Sequence, residues 1–142
     1  MKTTAKQAPK RAVWLARLAV GAVFLANLSA ALPYLIWPRP YAAGFELEGV
    51  PGDVIVRGLG VLFLMWNATY PPVIVSPDRQ RTLFAVILVQ QLLGILGQLW
   101  IGAALPAGHV ALRATGARFL AFDVTGLAAM GIAFGVLARR SH

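Results

Sequence analysis

The sequence predicts an all-α fold, a polytopic membrane protein built as a bundle of four transmembrane helices, on three observations. Of 142 residues, 58 % are apolar and only 13 % charged, too little polar material to cover a water-soluble globule of this size. Four apolar stretches can each cross a hydrocarbon layer of about 30 Å with roughly 20 helical residues. Prolines gather between those stretches, where helices end and chains turn. The runs lack the alternation of barrel strands, and bare backbone amides cannot be left in lipid, so helices are the expected solution.

The first helix is expected over Val13 to Leu32. Lys2, Lys6, Lys10 and Arg11 precede it, and it closes on small residues near Ser29 and Ala31. That pattern also fits a secretory signal, but the expectation is a retained span. Pro33, Pro38, Pro40 and Pro51 punctuate an outer loop over 33–53, whose Tyr34, Trp37, Tyr41 and Phe45 suit the headgroup level. The second helix is expected over Val54 to Tyr70, ended by Pro71 and Pro72, with an inner loop over 71–82. The third runs from Leu83 to Leu105, followed by Pro106, Gly108 and an outer loop over 106–116. The fourth covers Ala117 to Leu137, and all four belong to a single domain over 1–142.

Orientation follows from the basic residues at the helix ends. Lys2, Lys6, Lys10, Arg11, Arg79, Arg81, Arg139 and Arg140 fall on one side, against Arg39, Arg57, Arg113 and Arg118 on the other. The richer side belongs in the cytoplasm, which puts both termini inside. The net charge of +8 is then a topology signal and not a nucleic-acid footprint, since no soluble basic patch is left once the helices are removed. The Ala, Gly, Leu and Arg content points to a GC-rich prokaryote and its cytoplasmic membrane.

Polar side chains inside apolar helices are costly, so they face the bundle interior or a water-filled cavity. At 1.5 Å per residue, Asn27, Arg57, Gln98 and Asp123 fall in one layer beneath the outer surface, and Asn67, Gln90 and Gln91 in a second, uncharged layer nearer the inner side. Asp123 needs a cation, water or a proton. Arg118 lies five residues away on the same helix, about 140° around the axis. Arg57 is therefore the expected partner, in an ion pair joining the second and fourth helices that Gln98 and Asn27 complete. That pair reads equally as a structural pin or as part of a functional site. Gln91, Gly94, Gln98 and Gly102 recur along one stripe of the third helix and should face protein. Ala22, Ala26 and Ala30 on the first helix, with Gly131 and Gly135 on the fourth, suggest further close contacts. Trp66 reads as bundle packing, Arg118 and Arg17 as snorkelling cations, and His109 as a solvated loop residue.

No paired carboxylates, nucleophile elbow, phosphate-cradling loop or metal-ligand cluster is visible, so no catalytic residue and no metal site is assigned. With no cysteine, disulfides and thiolate chemistry are excluded.

Arg17, Gly21, Phe24 and Leu28 recur on one face of the first helix, which resembles the opening helix of DoxX-like four-helix membrane proteins. Length and layout agree. The chain departs from that pattern after the phenylalanine, reading Asn27-Leu28-Ser29-Ala30 where a glycine and a lysine are expected. The resemblance implies a small membrane subunit that accompanies oxidoreductase or redox-stress systems, sometimes near quinone, and carries no functional residue across.

Three functions follow as expectations. The first is a non-enzymatic subunit or scaffold that binds lipid, a membrane partner protein or further copies of itself. The second is a pocket protein for a quinone, lipid or sterol-like molecule, with Asp123, Arg57 and Gln98 at its polar end. The third is a proton-linked transporter titrating at Asp123. No resident cofactor is evident, and quinone or lipid is the ligand of the second reading.

Overall fold

A computed structural model describes residues 10–139. Lys2, Lys6 and Arg140, which entered the charge count, lie outside the described residues. The described chain is helical with no strand: α1 (Lys10–Ile36), α2 (Arg39–Ala42), a 3-10 turn (Ala43–Phe45), α3 (Gly49–Asn67), α4 (Tyr70–Val75), α5 (Arg81–Ala104) and α6 (Val110–Arg139). Four stretches are long and apolar enough to cross a membrane: α1, α3 with α4, α5 and α6. No more than 22 % of any of these apolar windows is buried, so most of their hydrocarbon surface faces outward. Leu18, Leu25, Leu93 and Ile132 are typical of that surface, each more than three-fifths exposed.

Several boundaries differ from the sequence-based expectation, each for a local reason. α1 runs through Pro33 to Ile36. The proline removes one amide donor, yet the Trp37 amide still bonds the Pro33 carbonyl at 2.8 Å, and Tyr34 anchors the helix end among aromatic rings. Pro71 and Pro72 do not stop the second span. They occupy the first turn of α4, where an N–H has no helical partner anyway, and the break falls at Ala68 and Thr69. The stretch expected as a loop over 33–53 is largely folded, holding the end of α1, α2, the 3-10 turn and the start of α3. α6 begins at Val110, seven residues before the predicted start.

α1 packs against α3, α4 and α6, and α5 packs against α6 and α4. α3 and α5 make no extensive contact, so they border an opening on one flank of the bundle. The end carrying Lys10, Arg139 and the 76–80 turn is closely filled by Val20, Tyr70, Phe84, Ile87, Met130 and Leu137, all fully buried. Tyr34, Ala42 and Val56 form a second, smaller core at the opposite end, called the loop end below. α1 and α3 come close at Gly60, where a Cβ would stand 2.9 Å from both the Ala31 carbonyl oxygen and the Leu35 amide nitrogen. Gly131 and Gly135, expected at a close contact, have nothing within 4 Å of that position. Their spacing puts them on one face of α6, but that face is not the one covered.

Candidate functional site

A cavity of about 980 Å3 lies among the four spans in the loop-end half. Apolar and aromatic side chains make most of its wall, with Phe63 from α3 and Phe119 from α6 edge to face at 5.9 Å, and Phe45 from the 3-10 turn stacked on Phe119 at 6.2 Å. Polar groups contribute to the lining, Asn27, Asn67, Gln91 and Asp123 toward the deep end and Gln98 beside Gly116, nearer the loop end.

α5 and α6 bring the deep groups together because glycines let them approach. A Cβ on Gly94 would lie 2.8 Å from Asp123 Oδ2 and 3.6 Å from Trp66 Cη2, so the carboxylate and the indole meet over that glycine. Gly116 in turn receives the Gln98 side chain, whose Oε1 is 3.3 Å from its Cβ position. Gly126 receives Gln91, with Nε2 at 2.7 Å. Part of the predicted stripe thus packs on α6, whereas Gly102 lines the cavity with open space at its Cβ position. Gln91 is only 2 % exposed and its Nε2 has no acceptor among the described residues; the indole N–H of Trp66 also lacks one.

The structure does not support two separate polar layers. Asn27 Nδ2 donates to Asn67 Oδ1 at 3.2 Å, and Asn67 Nδ2 donates to the Phe63 carbonyl at 2.6 Å. Depth counted from predicted helix ends places these two asparagines apart because it assumes level ends; the contact of Gly60 with Ala31 and Leu35 instead sets the register of α1 and α3, and Asn67, seven residues on from Gly60, falls beside Asn27. Gln90 takes no part in the cavity and accepts from Thr69 Oγ1 at 3.3 Å beside the break between α3 and α4.

The Arg57–Asp123 ion pair is absent. The covered face of α3 is Gly52, Val56, Gly60 and Asn67, and Arg57 is turned about 100° from Val56. Its exposed side chain borders a shallow groove with Trp37 and Asp53 outside the bundle. Asp53 itself pairs with Arg39 at 3.3 Å. Asp123 is partly buried against Gly94 and has no hydrogen bond or ion pair with any described residue. Arg118 turns toward the loop end, where Nη2 donates to Thr115 Oγ1 at 3.1 Å. Arg113 donates to the carbonyls of Leu105 and Pro106 at 2.6 and 3.1 Å, a cation capping the C-terminal end of α5.

Sequence reasoning missed how the loop end is tied down. The buried Thr115 hydroxyl donates to the Gly44 carbonyl at 2.7 Å. Glu46, held at φ 54°, accepts from His109 Nδ1 at 2.6 Å and from the Leu112 amide at 3.4 Å, so it joins the 3-10 turn to the first turn of α6. His109 is thus a tether partner and not a free loop residue. The helix N-terminus favours the carboxylate there, and the contacts offset a strained left-handed conformation. His109, and more weakly the Leu112 and Ala111 amides, hold the Glu46 carboxyl below its ordinary value of 4.5. Because the folded value is the lower one, this tether stabilises fully above the unfolded value and fails as pH falls through the folded one. Amide exchange in the first turn of α6 is expected to accelerate below about pH 4.5 relative to a Glu46→Gln variant, in which that dependence should vanish.

Compared with known proteins, the chain matches no family model, no curated protein and no solved structure. Of the residues that carry the DoxX-like resemblance, Arg17 bonds the Val75 carbonyl at 2.6 Å and Phe24 stacks on Tyr70 at 6.1 Å, both on the closely packed side of α1.

Proposed function

We propose that the chain is an integral membrane protein whose four spans enclose a binding cavity for a lipophilic molecule. The observation that carries this reading is the cavity itself: it matches the upper range of small-molecule sites, roughly 300–1,000 Å3, and joins an aromatic wall to a few convergent polar groups. The outward hydrocarbon of all four spans supports insertion in a bilayer. With Lys10, Arg11, Arg79, Arg81 and Arg139 at one end, the charge pattern supports both termini in the cytoplasm, in the cytoplasmic membrane of a prokaryote. The opening between α3 and α5 offers a route from lipid, so the occupant need not pass through water.

Gly102 supplies the test. It lines the cavity and has open space at its Cβ position, so a large side chain can enter without displacing backbone. Protein extracted gently and measured by native mass spectrometry is expected to retain an amphiphile, and Gly102→Trp to lose it while keeping the wild-type melting temperature within a few degrees. An adduct that survives Gly102→Trp would place the occupant elsewhere. The scaffold reading forecasts a stoichiometric second protein in the same spectrum and no dependence on Gly102.

A further inference from the structure

We propose that the deep end of the cavity selects the cationic head of a lipophilic organic cation, with Asp123 as its counter-charge and the Trp66 ring beside it. This rests on the cavity reading above and assigns the chemical class of the occupant.

Asp123 is a carboxylate in the middle of a span, on the wall of a cavity, with no partner of its own. Arg17 is turned to the Val75 carbonyl, Arg113 to the end of α5, Arg118 to Thr115 and Arg57 to the outer groove, while Arg11, Arg81 and Arg139 lie at the far, closely filled end of the spans. A partly buried charge left unpaired is costly, and the cationic head of an occupant would offset it. The surroundings suit a cation. The indole of Trp66 meets the carboxylate over Gly94, and tryptophan is the ring that attracts cations most strongly. Asn67, next to Trp66 on α3, presents an amide dipole near that depth, while Phe63, Phe119 and Phe45 offer rings to an apolar body nearer the loop end, where Gln98 packs at Gly116.

Polarity decides against an anionic lipid lying in its usual sense. Its phosphate would stop near Arg113 and Arg118 at the loop end, and its chains would then be driven onto a carboxylate and three amides. A cation entering from the lipid flank, head inward, matches each level of the wall instead.

Tetraphenylphosphonium and tetraphenylborate share size and shape but carry opposite charge, which isolates the electrostatic preference. Binding of each is measured by equilibrium dialysis on the full chain in neutral detergent, for wild type, Asp123→Asn, Trp66→Phe and Gly102→Trp. Asp123→Asn is expected to weaken tetraphenylphosphonium binding at least tenfold and leave tetraphenylborate unchanged, and Trp66→Phe to weaken the phosphonium two- to fivefold. In protein unaltered at Asp123, the part of the binding abolished by Gly102→Trp should be seen with the phosphonium and not with the borate, an arm that holds even where Asp123→Asn folds poorly. Phosphonium binding that ignores Asp123 yet disappears in Gly102→Trp overturns the cation preference and leaves the cavity reading standing. Borate binding that depends on Gly102 also overturns it. Binding of neither probe, with no bound amphiphile in the native spectrum, overturns both.

Discussion

Gly60→Ala is expected to lower the unfolding free energy in detergent by about 2–3 kcal/mol, the cost of forcing extra volume into a filled contact. The added methyl would stand 2.9 Å from two backbone atoms of α1, at Ala31 and Leu35, and 3.2 Å from the Tyr34 Cβ. The end of a flexible side chain can step aside, whereas a helix backbone moves only with its neighbours. α1 also contacts α4 and α6, so displacing it disturbs three packed pairs. Gly58→Ala is the control on the same helix, because nothing lies within 4 Å of its Cβ position. There the substitution should be neutral or stabilise by up to about 1 kcal/mol through helix propensity. Equal effects in a denaturant titration would mean that α1 and α3 do not meet at Gly60.

Asp123→Asn is expected to raise the stability of the empty protein by about 1–2 kcal/mol, while removing the charge on which cation binding depends. A structural pin between Arg57 and Asp123 would give the opposite sign, because removing one member of a buried pair strands the other. The two side chains are nearly the same size, so the contact with Gly94 is preserved and only the charge changes. The gain is smaller than the full cost of an aspartate at the centre of a span, roughly 2.5–3.5 kcal/mol, because this residue is only partly buried, on the cavity wall. Thermal unfolding of both variants in one detergent checks the sign, and a loss of stability on Asp123→Asn would show that the carboxylate is structurally paired.

The two substitutions also mark what could be read from the chain alone. Span number was legible because length and hydropathy act over some 20 residues, so that single errors average out. Ends were less so. Proline reads as a stop, yet Pro71 and Pro72 sit in a first turn and Pro33 is carried inside a helix anchored by Tyr34. The stretch from Arg113 to Gly116 reads as loop, but it is helical, with Arg113 capping α5 and Thr115 tying down Gly44 from the first turns of α6. Depth along a helix was estimated for Asn27, Gln98 and Asp123, and all three line the cavity. Arg57 fails on azimuth and on depth, since Asp123 lies at the level of Trp66, nine residues and about 13 Å further along α3. The series Gly52, Val56, Gly60 and Asn67 carries that azimuth, and setting it against Arg57 would have turned the guanidinium outward. What no spacing discloses is which glycine meets a neighbour: Gly60 and Gly131 look alike until the partner helix is placed.

The uneven filling of the bundle has a mechanical consequence. Around Tyr70, Phe84, Met130 and Leu137 the helices are locked side chain to side chain, while nearer Phe45 and Phe119 they surround empty volume. Opening one end therefore costs less free energy than opening the other, and local fluctuations grade along the helix axes. The filled end thus fixes the register of the helices, and spreading at the other must first break the Glu46 and Thr115 tethers that join the 3-10 turn to α6.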